Sequence, residues 1–116
     1  DVAAVKKALD EQGLVCASVC AAMGPGRDLR GSDADQQGAL AYLRSIIDVL
    51  PGLGCSVLAG PLYSTVGRAE AVEEKDYQQQ WDTVVRHLKT LAAYAEGKGV
   101  VLAIEPLNRY ETDFIN

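Results

Sequence analysis

The sequence has no apolar run approaching the roughly 18–20 residues that a membrane span needs, so no crossing of a bilayer is expected. It has a single histidine, His87, and so cannot form a Ser-His-Asp or Cys-His set except around that residue. It has only 11 Lys and Arg against 16 Asp and Glu, scattered and without a basic stripe. A net charge of −5 argues against a nucleic-acid partner. It has three cysteines, an odd number that precludes complete internal pairing, and no CxxC or Cys/His zinc spacing. Three buried thiols in a reducing cytoplasm are the expectation. No charged-then-apolar leader is present, and the chain opens on Asp1 without a methionine.

What is present is an ordinary globular composition, with 48% apolar and 23% charged residues over 116 positions. That length suits one domain with a real core. The informative pattern is a recurring unit in which a helical stretch ends, a glycine follows and a short apolar run begins. It occurs at Gly13 before LVCASVCAA, at Gly54 before CSVLAGPLY and at Gly99 before VVLAIEPL.

Three helices are predicted. Val2, Val5 and Leu9 mark the first, stopped by Gly13. Leu40, Leu43, Ile46, Ile47 and Leu50 mark the second, with Ser32-x-x-Asp35 as its cap and Pro51-Gly52 as its stop. Trp81, Val84, Val85, Leu88, Leu91, Ala92 and Ala95 mark the third, which starts near Glu73–Asp76 and ends at Gly97 and Gly99. Trp81 lies on the apolar stripe and is expected in the core. The apolar runs read as strands covered on both faces. Helices alternating with such strands imply βαβ units and a parallel sheet. The fold class is α/β. A helix before the first strand, no helix after the third, and two free sheet edges suggest an internal segment of a larger α/β protein.

In parallel α/β folds ligands bind at the carboxyl ends of the strands. The residues there are Met23-GPGRDLRGSD, Gly60-PLYSTVGR and Glu105-PLNRYETD. In VVLAIEP, alternation puts Val101, Ala103 and Glu105 on one face, the smaller-residue face a barrel interior requires. A carboxylate ending a buried strand has to be paired, metal-bound or protonated; Arg109 or another barrel Arg is its structural partner if it has no function. Glu111 by itself reads as a solvated loop acid. Asp28 and Asp33 read as loop acids without a partner, and GPGRDLRGS as a flexible loop, since it matches neither a P-loop nor GxGxxG. His87 sits at the flank of its helix, away from any strand end. Tyr63 follows a strand end and is a pocket candidate.

The run GVVLAIEPLNRYETDFIN, Gly99 to Asn116, resembles the metal-site segment of the D-tagatose/D-psicose (allulose) 3-epimerase family of xylose-isomerase-like TIM barrels. GPLYS, Gly60 to Ser64, is similar to that family's third strand end, and DLRGSDADQQGALAYLRSIID to its second loop and helix. The resemblance implies a partial (β/α)8 TIM barrel over residues 1–116, about strands 2–4 with their helices. It implies a metal-dependent ketose 3-epimerase working by C3 proton abstraction through a cis-enediolate. Glu105 matches a metal ligand that also exchanges the C3 proton. Glu111 matches a carboxylate that binds substrate oxygens, with Tyr63 and Gly60 as further substrate-binding positions. The cofactor implied is a divalent metal, Mn²⁺ first, with Co²⁺ or Mg²⁺ as alternatives. The family's remaining ligands are an Asp, a His and a second Glu on later strands, so the 116-residue chain by itself is expected to be inactive. The resemblance further implies a cytoplasmic homodimer or homotetramer.

Three alternatives remain at this point. One is a hydroxypyruvate isomerase or inosose dehydratase relative. The others are a truncated barrel without catalysis and a small α/β binding domain. An apurinic endonuclease relative is disfavoured by the acidic charge and the single histidine.

Overall fold

The structure, a computed structural model, describes residues 1–70 and 72–116. Three helices and three strands alternate: α1 (Val2–Glu11), β1 (Val19–Cys20), α2 (Asp33–Val49), β2 (Val57–Gly60), α3 (Glu74–Glu96) and β3 (Val101–Ile104), with a 3-10 turn at Pro51–Leu53. The strands form one parallel sheet in the order β1-β2-β3. The predicted class, element order and strand direction are those observed.

Local chemistry explains the boundaries. The Asp1 carboxylate accepts from Ala3 N–H and caps α1. Ser32 and Asp35 form the predicted capping box at the start of α2, each side chain accepting from the other's backbone N–H. Glu74 and Asp76 place negative charge on the first turn of α3, where the helix dipole favours it. Leu40, Leu43 and Ile47 of α2 and Val84, Leu91 and Ala95 of α3 are buried in one core with Leu58 of β2. Each such large side chain contributes about 1.5–3 kcal/mol on burial.

The two sheet faces differ. Register pairs Leu58 with Val19 and Leu102, and these point toward the helices. The other face carries Cys20, Ala59, Ala103 and Val101. Val101 is 64% exposed. The expectation of strands covered on both faces therefore fails on this side, because no described element packs over it. The first strand is also shorter than its apolar run. Leu14 and Val15 are exposed, and Leu14 N–H turns back to the Leu9 carbonyl at 2.9 Å instead of joining the ladder.

Three further expectations are corrected. Trp81 is 39% exposed, because it caps an aromatic cluster from outside, 5.5 Å from the Phe114 ring centroid and 6.4 Å from that of Tyr77. Of the cysteines, Cys55 is buried, Cys16 half-buried and Cys20 exposed on the open sheet face. The GPGRDLRGS loop is no flexible link: Asp28, Leu29 and Arg30 are all buried.

Candidate functional site

The carboxyl ends of the three strands lie along one rim of the sheet. Glu105 follows β3 directly. Its N–H donates to the Gly60 carbonyl at 2.9 Å, so the ladder to β2 carries one position past the strand. Alternation puts its side chain on the open face with Val101 and Ala103. The carboxylate is exposed, and among the described residues no side-chain hydrogen bond or ion pair engages it. The expected burial is thus not observed, since the open face leaves the strand end in water. Nor does Arg109 neutralise it: that guanidinium donates to Tyr110 Oη at 3.3 Å and lies over the Tyr110 ring.

Glu111 is half-buried in the turn that follows. Asn108 Nδ2 donates to its carboxylate, and its own N–H donates to the Asn108 carbonyl at 3.0 Å. Its carbonyl accepts from Gly67 N–H at 2.9 Å, and Thr112 bridges to Arg68, tying this turn to the loop after β2. Glu111 is therefore a held side chain, not a freely solvated one.

Gly60 and Tyr63 are placed differently from expectation. Gly60 is buried with φ +133°, and a Cβ there would stand 2.1 Å from the Ala21 carbonyl oxygen. Only glycine admits that close approach of β1 and β2. Tyr63 has no exposed surface, and its hydroxyl donates to the Ile115 carbonyl at 3.1 Å. Tyr63 therefore offers no surface for a substrate to touch, and Gly60 lies buried between the strands. Both instead hold the backbone near Glu105, Gly60 through its carbonyl and Tyr63 by anchoring the tail of the β3 loop. Burial, together with the nearby Glu105 charge, pushes the Tyr63 phenol above its ordinary pKa.

The sequence reading missed Asp28. Its carboxylate is buried and accepts from Arg30 N–H at 2.8 Å, Thr65 N–H at 3.3 Å, Ser64 Oγ at 3.3 Å and Arg68 at 3.1 Å. Burial works against the Arg68 charge, but Asp28 and then Glu70 outweigh it and hold the guanidinium protonated. Arg30, its side chain fully buried, donates to both oxygens of Asp113 at 2.7 and 3.2 Å and to Gln80 at 2.9 Å. Burial pushes the Asp113 carboxyl up, yet Arg30 more than offsets this and holds it below the usual carboxylate range. These pairs join all three rim loops. Nothing in their linear spacing signals them, since the partners are 40 and 83 residues apart. Asp33 stands in the first turn of α2, where its charge favours the helix dipole. His87 bonds Gln36 at 2.8 Å and joins α3 to α2; burial, then Arg86, lowers its pKa.

A cleft of about 500 Å³ lies beside this network, lined by Asp28, Asp35, Thr65, Arg68 and Glu70 among others. It does not include Glu105 or Glu111, so it is distinct from the candidate carboxylates. As a cation ligand Glu105 fits: it is a free, hard oxygen donor at a strand end. It fits as one ligand only. Among the described residues no group of three or more His, Cys, Asp or Glu is gathered for a metal.

Three comparisons bear on this rim. Residues 1–116 match the family model described as the xylose isomerase-like TIM barrel. An L-ribulose 3-epimerase of Methylomonas sp. (strain DH-1) is 35% identical over 74 residues, 64% of this chain and 25% of that protein. The structure of a D-allulose 3-epimerase from Methylomonas sp. in complex with D-allulose superposes with a TM-score of 0.85 at 32% identity, over 100% of this chain and 39% of that one. A structure of L-ribulose 3-epimerase superposes with a TM-score of 0.87 at 25% identity, over 100% and 38%. The chain thus spans 25% of the curated relative's length and about two-fifths of these barrels. Its parallel α/β sheet is part of such a barrel, and its relatives are ketose 3-epimerases. By sequence over its whole length, and by the fold that sets Glu105 at a strand end, the chain belongs to the xylose isomerase-like TIM barrel family.

Proposed function

We propose that this chain is the segment of a ketose 3-epimerase that supplies one metal-binding carboxylate and the proton-transfer group at C3. The observation that carries the proposal is Glu105: an unpaired carboxylate, at the carboxyl end of a parallel strand, with its backbone pinned by Gly60. The likeness to L-ribulose and D-allulose 3-epimerases supports this substrate class.

Glu105 would hold the divalent ion, Mn²⁺ by preference and Co²⁺ or Mg²⁺ as alternatives, with donors from outside the described residues. Such an ion, when bound, polarises the ketose carbonyl and acidifies the adjacent C–H. Glu105 accepts the C3 proton into its carboxylate. Inversion then requires a second acid on the opposite face of the enediolate, because a single base would return the proton to the face it came from. Glu111 orients the substrate by accepting from its hydroxyls, and Asn108 holds that carboxylate in place. The backbone bond from Glu105 to β2 keeps the base from drifting as the proton moves.

Proton exchange in D2O tests the reading. With Mn²⁺ and D-fructose, L-ribulose or D-allulose, the whole enzyme carrying this segment should form the C3 epimer and place deuterium at C3. Glu105→Gln should lower both by about 10²–10⁴-fold, the usual contribution of a general base. Undiminished exchange in that variant overturns the role. The 116-residue chain by itself should turn over little or no ketose, because one carboxylate does not enclose the ion. Substantial epimer formation by it would contradict the ligand assignment.

A further inference from the structure

We propose that Arg30 is a positioning residue that fixes Glu111, and with it the grip on substrate, while Glu105 and the proton transfer depend on a separate anchor. This role rests on the epimerase reading of the two carboxylates.

Arg30 cannot meet a substrate itself, because its side chain has no exposed surface. A guanidinium so placed is tolerable only when its donors are engaged, and each of its three nitrogens is engaged by a group from another element. Nη1 and Nη2 donate to the two Asp113 oxygens at 2.7 and 3.2 Å, and Nε donates to Gln80 of α3 at 2.9 Å. The guanidinium carbon also lies 4.5 Å from the centroid of the Phe114 ring. A planar fork bound at two points fixes direction as well as distance. Arg30 thereby sets two consecutive residues of the β3 loop, just beyond Glu111. On its other side Glu111 is clasped by Gly67 N–H, which donates to its carbonyl at 2.9 Å. Glu111 therefore stands between two tethers, one from the loop after β1 and one from the loop after β2.

Glu105 is anchored elsewhere. Its N–H donates to the Gly60 carbonyl of β2, and no contact of the Arg30 side chain involves β2 or β3. The base of the loop closes without Arg30 as well, since Leu107 N–H donates to the Ile115 carbonyl at 3.0 Å and Tyr63 Oη donates to the same carbonyl at 3.1 Å. Loss of Arg30 should thus release the carboxylate that orients the substrate and spare the one that moves the proton. A lost orienting contact of that kind raises KM and leaves kcat in place.

In the whole enzyme carrying this segment, Arg30→Met should raise KM for D-allulose about tenfold, with kcat within about twofold of the unaltered enzyme. Because Asp113 left alone can cost the fold, the double variant Arg30→Met/Asp113→Leu accompanies it. An apolar pair in place of a buried ion pair restores stability but not the two-point grip, so the melting temperature should recover and KM should stay high. An unchanged KM, a KM that recovers with stability, or a kcat that falls as far as KM rises would overturn the proposal. Hydrogen exchange reads the same anchors without substrate. In both variants the Gly67 and Glu111 amides should exchange about tenfold faster, and the Glu105 amide should not. Equal loss of protection at Glu105, or none at Glu111, would refute the separate anchoring. Absence of epimer from the unaltered enzyme counts against the epimerase reading instead, and the exchange pattern then still decides whether Arg30 anchors Glu111.

Discussion

Two carboxylates at the same rim of the sheet are treated in opposite ways. Asp28, after β1, is buried and accepts from Arg30, Ser64, Thr65 and Arg68. Glu105, after β3, is exposed and unengaged among the described residues. The difference separates placement from chemistry. A buried carboxylate is tolerable only when its oxygens are satisfied, and satisfying those of Asp28 locks two loops together. A carboxylate that is to bind a cation and move a proton, the role proposed for Glu105, has to keep its lone pairs free, and Glu105 is held by its backbone alone. The loop that bears Glu105 and Glu111 is in turn fastened to the locked half through Arg30–Asp113 and Gly67–Glu111.

This contrast can be broken by substitution. The largest effect on stability should come from Asp28→Ala, which leaves Arg68 without its buried partner and removes the acceptor of the Arg30 and Thr65 N–H groups. A loss of about 3 kcal/mol is expected, toward the low end for a broken buried pair because Arg68 is one-fifth exposed; denaturant unfolding measures it, and a change under 1 kcal/mol would refute the locking role. Gly60→Ala comes next, at about 2 kcal/mol, since the strands have to part to admit the methyl group. Because Gly60 also holds Glu105 N–H, the proposed epimerase activity should fall with it. Tyr63→Phe removes one hydrogen bond, and a melting experiment should show about 1 kcal/mol. Unchanged KM in that variant would sharpen the view that Tyr63 packs and does not touch substrate. Smallest is Glu105→Gln, whose effect on stability should stay within about 0.5 kcal/mol, as for an exposed residue without partners, although it should lower proton exchange by about 10²–10⁴-fold. A large destabilisation there would erase the distinction between the two acids.

Helix periods, the Ser32–Asp35 capping box and the glycine stops were legible because each rests on contacts within a few residues. The alternation in VVLAIEP likewise puts Glu105 on the Val101 and Ala103 face. Asp28 was not legible. In the sequence it is one acid among polar loop residues, and its meaning comes from Arg68, 40 positions away. Tyr63 misled for the same reason: a tyrosine after a strand end suits a pocket or a core equally, and only the carbonyl of Ile115 decides between them.

The sequence by itself determined the α/β class, the parallel order of elements and the strand end at which Glu105 stands. Local periodicity and short-range capping suffice for these. The tertiary structure alone decided which acids are occupied and which are free, and which face of the sheet is open. Those are properties of chains brought together from far apart, where burial and the supply of partners, not residue type, set what a carboxylate can do.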